Sequence, residues 1–260
     1  MDRISFPLES QLLDRLADAW QTGRPIPYKE ACLLSPLTDE QAYDMQRKLG
    51  NRLGWWPNGR PTAWKLATGS PPKVAPVPDA RLFTQDVSAV DDYRPATLCG
   101  IEVELVCELK QPITANMSCD ELAGAIAATY AAIEIFDVRG VDWQYLPERF
   151  LLADLQMHGA LILGESVSGW QPDNRLVISA GDVDLSQRQF VPQIPDLLAS
   201  LPWLAEHAMQ QGWPLAAGDL IATGSWCGLL ELPAGTPVKA SFTNVGSVSF
   251  VTSMVDNEVW

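Results

Sequence analysis

The clearest pattern in the chain is the run from Gly100 to Leu109, where apolar Ile101, Val103, Leu105 and Cys107 alternate with Glu102, Glu104, Val106 and Glu108. A period of two is the signature of a strand with one face in a core. Glu102 and Glu104 then share a face, their backbones roughly 7 Å apart. Residues 9–22 follow a different period, placing Leu12, Leu13, Leu16, Ala17 and Trp20 at helical spacing. A second helix opens at Thr38, with Gln41 completing a capping box and Ala42, Met45 and Leu49 as its apolar positions. Residues 51–61 hold two Gly, two Pro and two Asn, which predicts a break that exposes Trp55 and Trp56. Beyond it the patterning predicts strands at 63–67, 101–109, 133–138, 160–163, 176–179, 219–223, 237–243 and 247–255, and helices at 119–130 and 196–211. Strands interleaved irregularly with few helices predict an α+β fold with a mixed sheet, not a doubly wound one. Residues 1–60 read as a helical N-terminal segment packed on a main domain of 61–260.

Composition narrows this picture. The chain has 260 residues, 47% of them hydrophobic, which gives ample core. Eighteen basic against 32 acidic residues give a net charge of −14, so nucleic acid and anionic membrane surfaces are not expected partners. An anionic substrate would need a local cation to hold it. The cysteines at 32, 99, 107, 119 and 227 form no CxxC pair and read as reduced thiols of a cytoplasmic protein. Met1 to Ser10 carries no positive stretch followed by an apolar core, so no secretory leader is expected. The longest apolar run, Leu122 to Phe136, is interrupted by Thr129, Tyr130 and Glu134 and falls short of a bilayer span.

Several residues then stand out as candidate chemistry. Glu134 sits inside the apolar run Ala131 to Val138, where an unpaired carboxylate would cost several kcal/mol. Glu102, Glu104 and Glu134 are an oxygen donor set suited to a hard divalent cation. From spacing alone, the solvated face of an edge strand explains Glu102 to Glu108 equally well. Lys65 is flanked by apolar residues; it reads either as a desolvated proton carrier or as a surface lysine whose stem lies along apolar neighbours. Asp79 follows a proline and suits a turn or cap. The loop Ala222 to Gly228 places hydroxyls beside glycines, an arrangement that could hold a carboxylate through backbone N–H groups. Gly224-Ser225-Trp226-Cys227-Gly228 is not a nucleophile elbow, and the chain has two histidines, 158 and 207, to serve any triad. No P-loop, G-x-G-x-x-G or HExxH occurs.

Six segments in order, Pro36 to Gln46, Trp64-Lys65-Leu66 with Thr68-Gly69-Ser70, Pro78 to Phe83, Glu102-Val103-Glu104, Ile133 to Trp143, and Gly218 to Ser225, are similar to the motifs of one family. The chain resembles the 2-keto-4-pentenoate hydratase group of the fumarylacetoacetate hydrolase superfamily, nearly end to end. The resemblance implies a mixed-sheet roll and a homo-oligomer. It implies Glu102, Glu104 and Glu134 as ligands of Mg2+ or Mn2+, and Lys65 and Asp79 as acid and base. It further implies that Ser70, Thr223, Gly224 and Ser225 hold a small 2-oxo or 2-hydroxy-dienoic acid. The expected reaction is hydration of a 2-hydroxy-2,4-dienoate during breakdown of aromatic compounds. Decarboxylation of a 2-oxo acid, C–C hydrolysis of an acylpyruvate and a non-catalytic metal-binding role are the alternatives on the same scaffold. One segment departs from the pattern: where the family carries A-D-N-x-S-S, this chain reads Ala153-Asp154-Leu155-Gln156-Met157-His158. Ala67 likewise stands for a glycine, and Pro71-Pro72 for the usual Met-Gln.

Overall fold

The computed structural model describes residues 5–84, 95–97, 100–183, 185, 197–233 and 235–251. Cys99 and the end of the strand expected at 247–255 lie outside these residues.

Three helices come first: α1 (Ser5–Thr22), α2 (Tyr28–Leu34) and α3 (Asp39–Leu53). The capping box of α3 is formed, with Gln41 N–H donating to Thr38 Oγ1 at 3.2 Å and Thr38 N–H to Gln41 Oε1 at 3.3 Å. Leu12, Leu16, Met45 and Leu49 are buried in a cluster with Phe136, Leu146, Phe150 and Leu152 of the main chain body. Trp55 and Trp56 are packed, contrary to the expected exposure. Trp55 meets Trp20 edge-on at 4.8 Å, and Trp56 meets Trp213 at 5.6 Å. Gly50 permits this, since a Cβ there would lie 2.3 Å from the Trp56 ring.

The strands β1 (Ala63–Ala67), β2 (Lys73–Pro76), β3 (Leu82–Thr84), β4 (Gly100–Leu109), β5 (Ile126–Phe136), β6 (His158–Ser168) and β8 (Leu220–Ala222) form a seven-stranded mixed sheet in the order β2-β1-β8-β4-β5-β6-β3. The β1–β8 and β3–β6 pairs are parallel and the others antiparallel. A second sheet, β10 (Gly246–Val251), β9 (Pro237–Phe242) and β7 (Leu176–Ala180), packs on one face of the first. Ile101, Val103 and Leu105 of β4 and Ile133 and Ile135 of β5 meet Ile178, Ala240 and Phe250 across that interface. Helix α4 (Cys119–Gly124) and helix α6 (Leu197–Gln210) pack with Trp64, Leu66, Cys107 and Ile221 of the large sheet, and helix α5 (Glu148–Ala153) packs with the N-terminal helices. This is the expected α+β class.

Two further expectations need correction. The helix predicted over 119–130 stops at Gly124, and the chain continues as β5 from Ile126. Alanine favours helix, but pairing with β4 from Ile126 to Phe136 prevails over that weak preference. The edge-strand reading of 100–109 also fails, because β4 pairs with β5 on one side and β8 on the other.

Candidate metal centre

The alternation on β4 sends Ile101, Val103 and Leu105 into the inter-sheet core, so Glu102 and Glu104 share the opposite face. Antiparallel register sets Glu102 directly across from Glu134, and Glu104 across from Ala132. Lys65 of β1 pairs with Ala222 of β8, which pairs in turn with Val106 of β4, placing Lys65 on that same face. Like charges directly opposed on neighbouring strands repel, so this register is costly without a cation between them.

The side chains converge. Glu102, Glu104 and Glu134 each offer an oxygen, and the three lie within 4.8 Å of one another. Glu104 and Glu134 are buried. Glu104 Oε2 accepts the Gly224 N–H at 2.8 Å. Glu134 Oε1 lies 3.0 Å from Lys65 Nζ and 2.8 Å from His158 Nδ1. The second oxygen of each, Glu104 Oε1 and Glu134 Oε2, is buried with no hydrogen-bond partner. Three carboxylates with two orphaned oxygens and one touching lysine fit a hard divalent cation.

The electrostatics agree. Burial pushes Glu134 up to about 7, opposed by Lys65 and reinforced by Glu102. Burial, then the Glu134 charge, holds Glu104 well above the usual carboxylate range. Glu102 is also raised by burial, with Lys65 pulling the other way. A bound cation would reverse this logic and keep all three ionised.

A cavity of about 800 Å³ opens on the cluster, lined by Lys65, Glu102, Phe136, Gln156, Ser225 and Trp226 among others. Lys65 is buried, with its Nζ 4.1 Å from the Phe136 ring centre and donating to the Gln156 carbonyl at 3.1 Å. Gly224 and Ser225 are on the cavity wall, and Gly224 has φ +94, a conformation that favours glycine. Thr223 is buried beside them with its hydroxyl unpartnered.

Of the expected site residues, Lys65, Glu102, Gly224 and Ser225 line the cavity, Glu104, Glu134 and Thr223 are buried off its wall, and Asp79 and Ser70 lie elsewhere. Asp79, in a short turn before β3, accepts a 3.4 Å hydrogen bond from the Thr62 hydroxyl, and burial raises it. Ser70 is exposed and lines a neighbouring cavity with Lys73 and Arg149. Glu108 accepts from the Tyr130 hydroxyl at 2.7 Å, away from the cluster.

Three residues went unassigned in the sequence: Gln156, whose carbonyl holds Lys65; His158, on Glu134; and Lys73, on the cavity wall. The first two lie in the segment that departs from the family pattern, and that departure was the signal for them. Lys73 left no such mark.

The central strand pair of a mixed-sheet roll thus presents three carboxylates beside a lysine, a cluster that could hold a divalent ion. The particular relatives are more specific. The chain is 28% identical over 260 residues to a 2-keto-4-pentenoate hydratase of Paraburkholderia phymatum, covering 90% of this chain and 93% of that one. It is 29% identical over 161 residues to a 4-oxalocrotonate decarboxylase of a Pseudomonas species, covering 59% of this chain and 60% of the relative. Among solved structures, 4-oxalocrotonate decarboxylase from Pseudomonas putida G7, complexed with magnesium and adipate, has a TM-score of 0.72 at 17% identity, covering 94% of this chain and 96% of that one. The 2-hydroxyhepta-2,4-diene-1,7-dioate isomerase of Mycobacterium marinum follows at 0.54 and 17%, covering 76% of each chain. No family model matches the chain. The resemblance read from the sequence is thus borne out in both relatives and fold.

Proposed function

We propose that the protein is a divalent-metal-dependent hydro-lyase that adds water to a 2-hydroxy-2,4-dienoate in the breakdown of aromatic compounds. The observation that carries this reading is the meeting of Glu102, Glu104, Glu134 and Lys65, of which Lys65 and Glu102 line one cavity and the other two are buried beside them. Mg2+ or Mn2+ held by the three glutamates would neutralise the substrate carboxylate and draw electron density from its 2-oxygen. The chain's own groups do the rest. The Gly224–Ser225 loop lies on the wall beside the cluster, where its polar groups can orient the substrate carboxylate. Lys65, buried and held by Gln156 and Glu134, is the group placed to move the proton as the dienol becomes the 2-oxo-enoate. Phe136, Leu152 and Met157 give the wall an apolar stretch against which the carbon chain of the substrate can lie. Water then adds across the remaining double bond, its proton and hydroxyl both retained in the product. Asp79, off the cavity wall, supports β1 through Thr62 in this reading and leaves the proton work to Lys65.

Decarboxylation is the second reading, and Lys73 favours it. Lys73 pairs with Ala67 while Lys65 pairs with Ala75, so both lysines occupy one face of the β1–β2 hairpin, roughly 7–8 Å apart along the diagonal. Lys73 lines the same cavity, ion-paired with exposed Glu148, and would suit a second carboxylate at the far end of a dicarboxylic substrate. The purified protein with Mg2+ should bleach the ultraviolet absorbance of 2-hydroxy-2,4-pentadienoate without releasing carbon dioxide. Carbon dioxide from a 2-oxo-hexenedioate would select decarboxylation instead. Metal binding with no turnover of any 2-oxo-enoate would leave the non-catalytic role.

A further inference from the structure

The turn at Leu155–Met157 is built at a cost. Leu155, Gln156 and Met157 have φ of 52, 54 and 64, three successive left-handed residues without a glycine. Each such residue costs about 1–2 kcal/mol, so the surroundings must hold the turn in place. They do: the Met157 carbonyl accepts Asp137 N–H at 3.0 Å, and Met157 N–H donates to the Asp154 carbonyl at 3.1 Å. Asp154 is in turn fixed by Arg139, whose Nε lies 2.7 Å from its Oδ1 and whose Nη2 donates to the His158 carbonyl at 2.9 Å.

What the turn delivers is a pair of contacts to the centre. It points the Gln156 carbonyl at Lys65 and opens β6 with His158, whose Nδ1 lies 2.8 Å from Glu134 Oε1. Both partners of that contact are buried, His158 at 1% exposure and Glu134 at 1%. His158 is not part of the three-residue ligand cluster. With Glu134 ionised, as a ligand must be, its oxygen only accepts, so Nδ1 carries the proton and Nε2 is left a buried lone pair with no partner.

We propose that His158 is a positioning residue for the metal centre: its Nδ1–H fixes the rotamer of Glu134 so that Oε2 is presented to the ion. Glu134 Oε1 is then shared by His158 and Lys65, and turning the carboxylate away from that position breaks both contacts at once. The serine of the resembling family's motif is too short to reach the place occupied by His158 Nδ1. The inference rests on the metal reading, and its test keeps the two separable.

Mn2+ binding, followed by the electron paramagnetic resonance of free Mn2+, gives a readout independent of turnover. Asparagine places an amide N–H where Nδ1 stands, leucine fills much of the volume with no donor, and serine leaves a hydroxyl short of Glu134. His158→Leu and His158→Ser should weaken Mn2+ binding at least about tenfold, the usual effect of losing such an outer contact, while His158→Asn stays within about threefold. His158→Leu or His158→Ser binding Mn2+ as tightly as the unaltered protein would overturn the proposal. If His158→Leu does not fold, His158→Ser decides. Unaltered protein that binds no Mn2+ would bring down the metal reading itself, and this inference with it.

Discussion

Glu134 makes a quantitative prediction about pH. In the metal-free protein burial raises it from 4.5 to about 7. Between those values the folded protein keeps a proton that the unfolded chain has already released. The stability that Glu134 contributes to the metal-free protein is therefore fully present below about pH 4.5 and is lost as pH rises through 7. Two and a half units correspond to about 3 kcal/mol at 1.36 kcal/mol per unit. A divalent ion requires the ionised form, so Mg2+ competes with that proton and binds more weakly at low pH. At a hundredfold excess over its dissociation constant, the ion would add about 2.7 kcal/mol. The rise in Tm on adding Mg2+ should thus be small at pH 5.5 and larger by roughly 5 °C or more at pH 8. Differential scanning fluorimetry with EDTA or Mg2+ at several pH values measures this. Glu134→Gln isolates the group from other buried carboxylates such as Asp154, which burial raises to about 6. A Mg2+ effect that is independent of pH, or greatest at pH 5.5, would refute the reasoning.

Two further outcomes follow from the same geometry. Lys65→Met removes the proton carrier and should lower kcat on a 2-hydroxy-dienoate by about 10²–10⁴ while Mn2+ still binds; full activity in steady-state assays would exclude the role. Arg139→Met strips the buried Asp137 and Asp154 of the cation at 3.4 and 2.7 Å and should cost about 3–5 kcal/mol, seen as a Tm lower by roughly 10 °C.

The centre was legible in outline because strand periodicity is local. Alternation from Ile101 to Glu108 fixes which side chains share a face, and the register with β5 then sets Glu102 across from Glu134. Whether that face was wet depended on β8, a three-residue strand that the pattern located but whose pairing with β4 it did not reveal. The extent of β5 was hidden for a related reason, since Ala127, Ala128, Ala131 and Ala132 suit a helix until β4 offers them a ladder. Lys65 could be read two ways because burial of a single lysine is a tertiary property. The supporting contacts from Gln156 and His158 had no local signature beyond their departure from the family motif, because a left-handed run of Leu, Gln and Met runs against backbone preference.

The central claim is that Glu102, Glu104 and Glu134 together hold one divalent ion. It is tested most directly by titrating the metal-free protein with Mn2+ and counting bound ions, beside Glu104→Gln. The geometry predicts one ion per chain, and a dissociation constant at least about tenfold higher once Glu104 loses its charge. Equal affinity in the two proteins, or no binding in either, would contradict it.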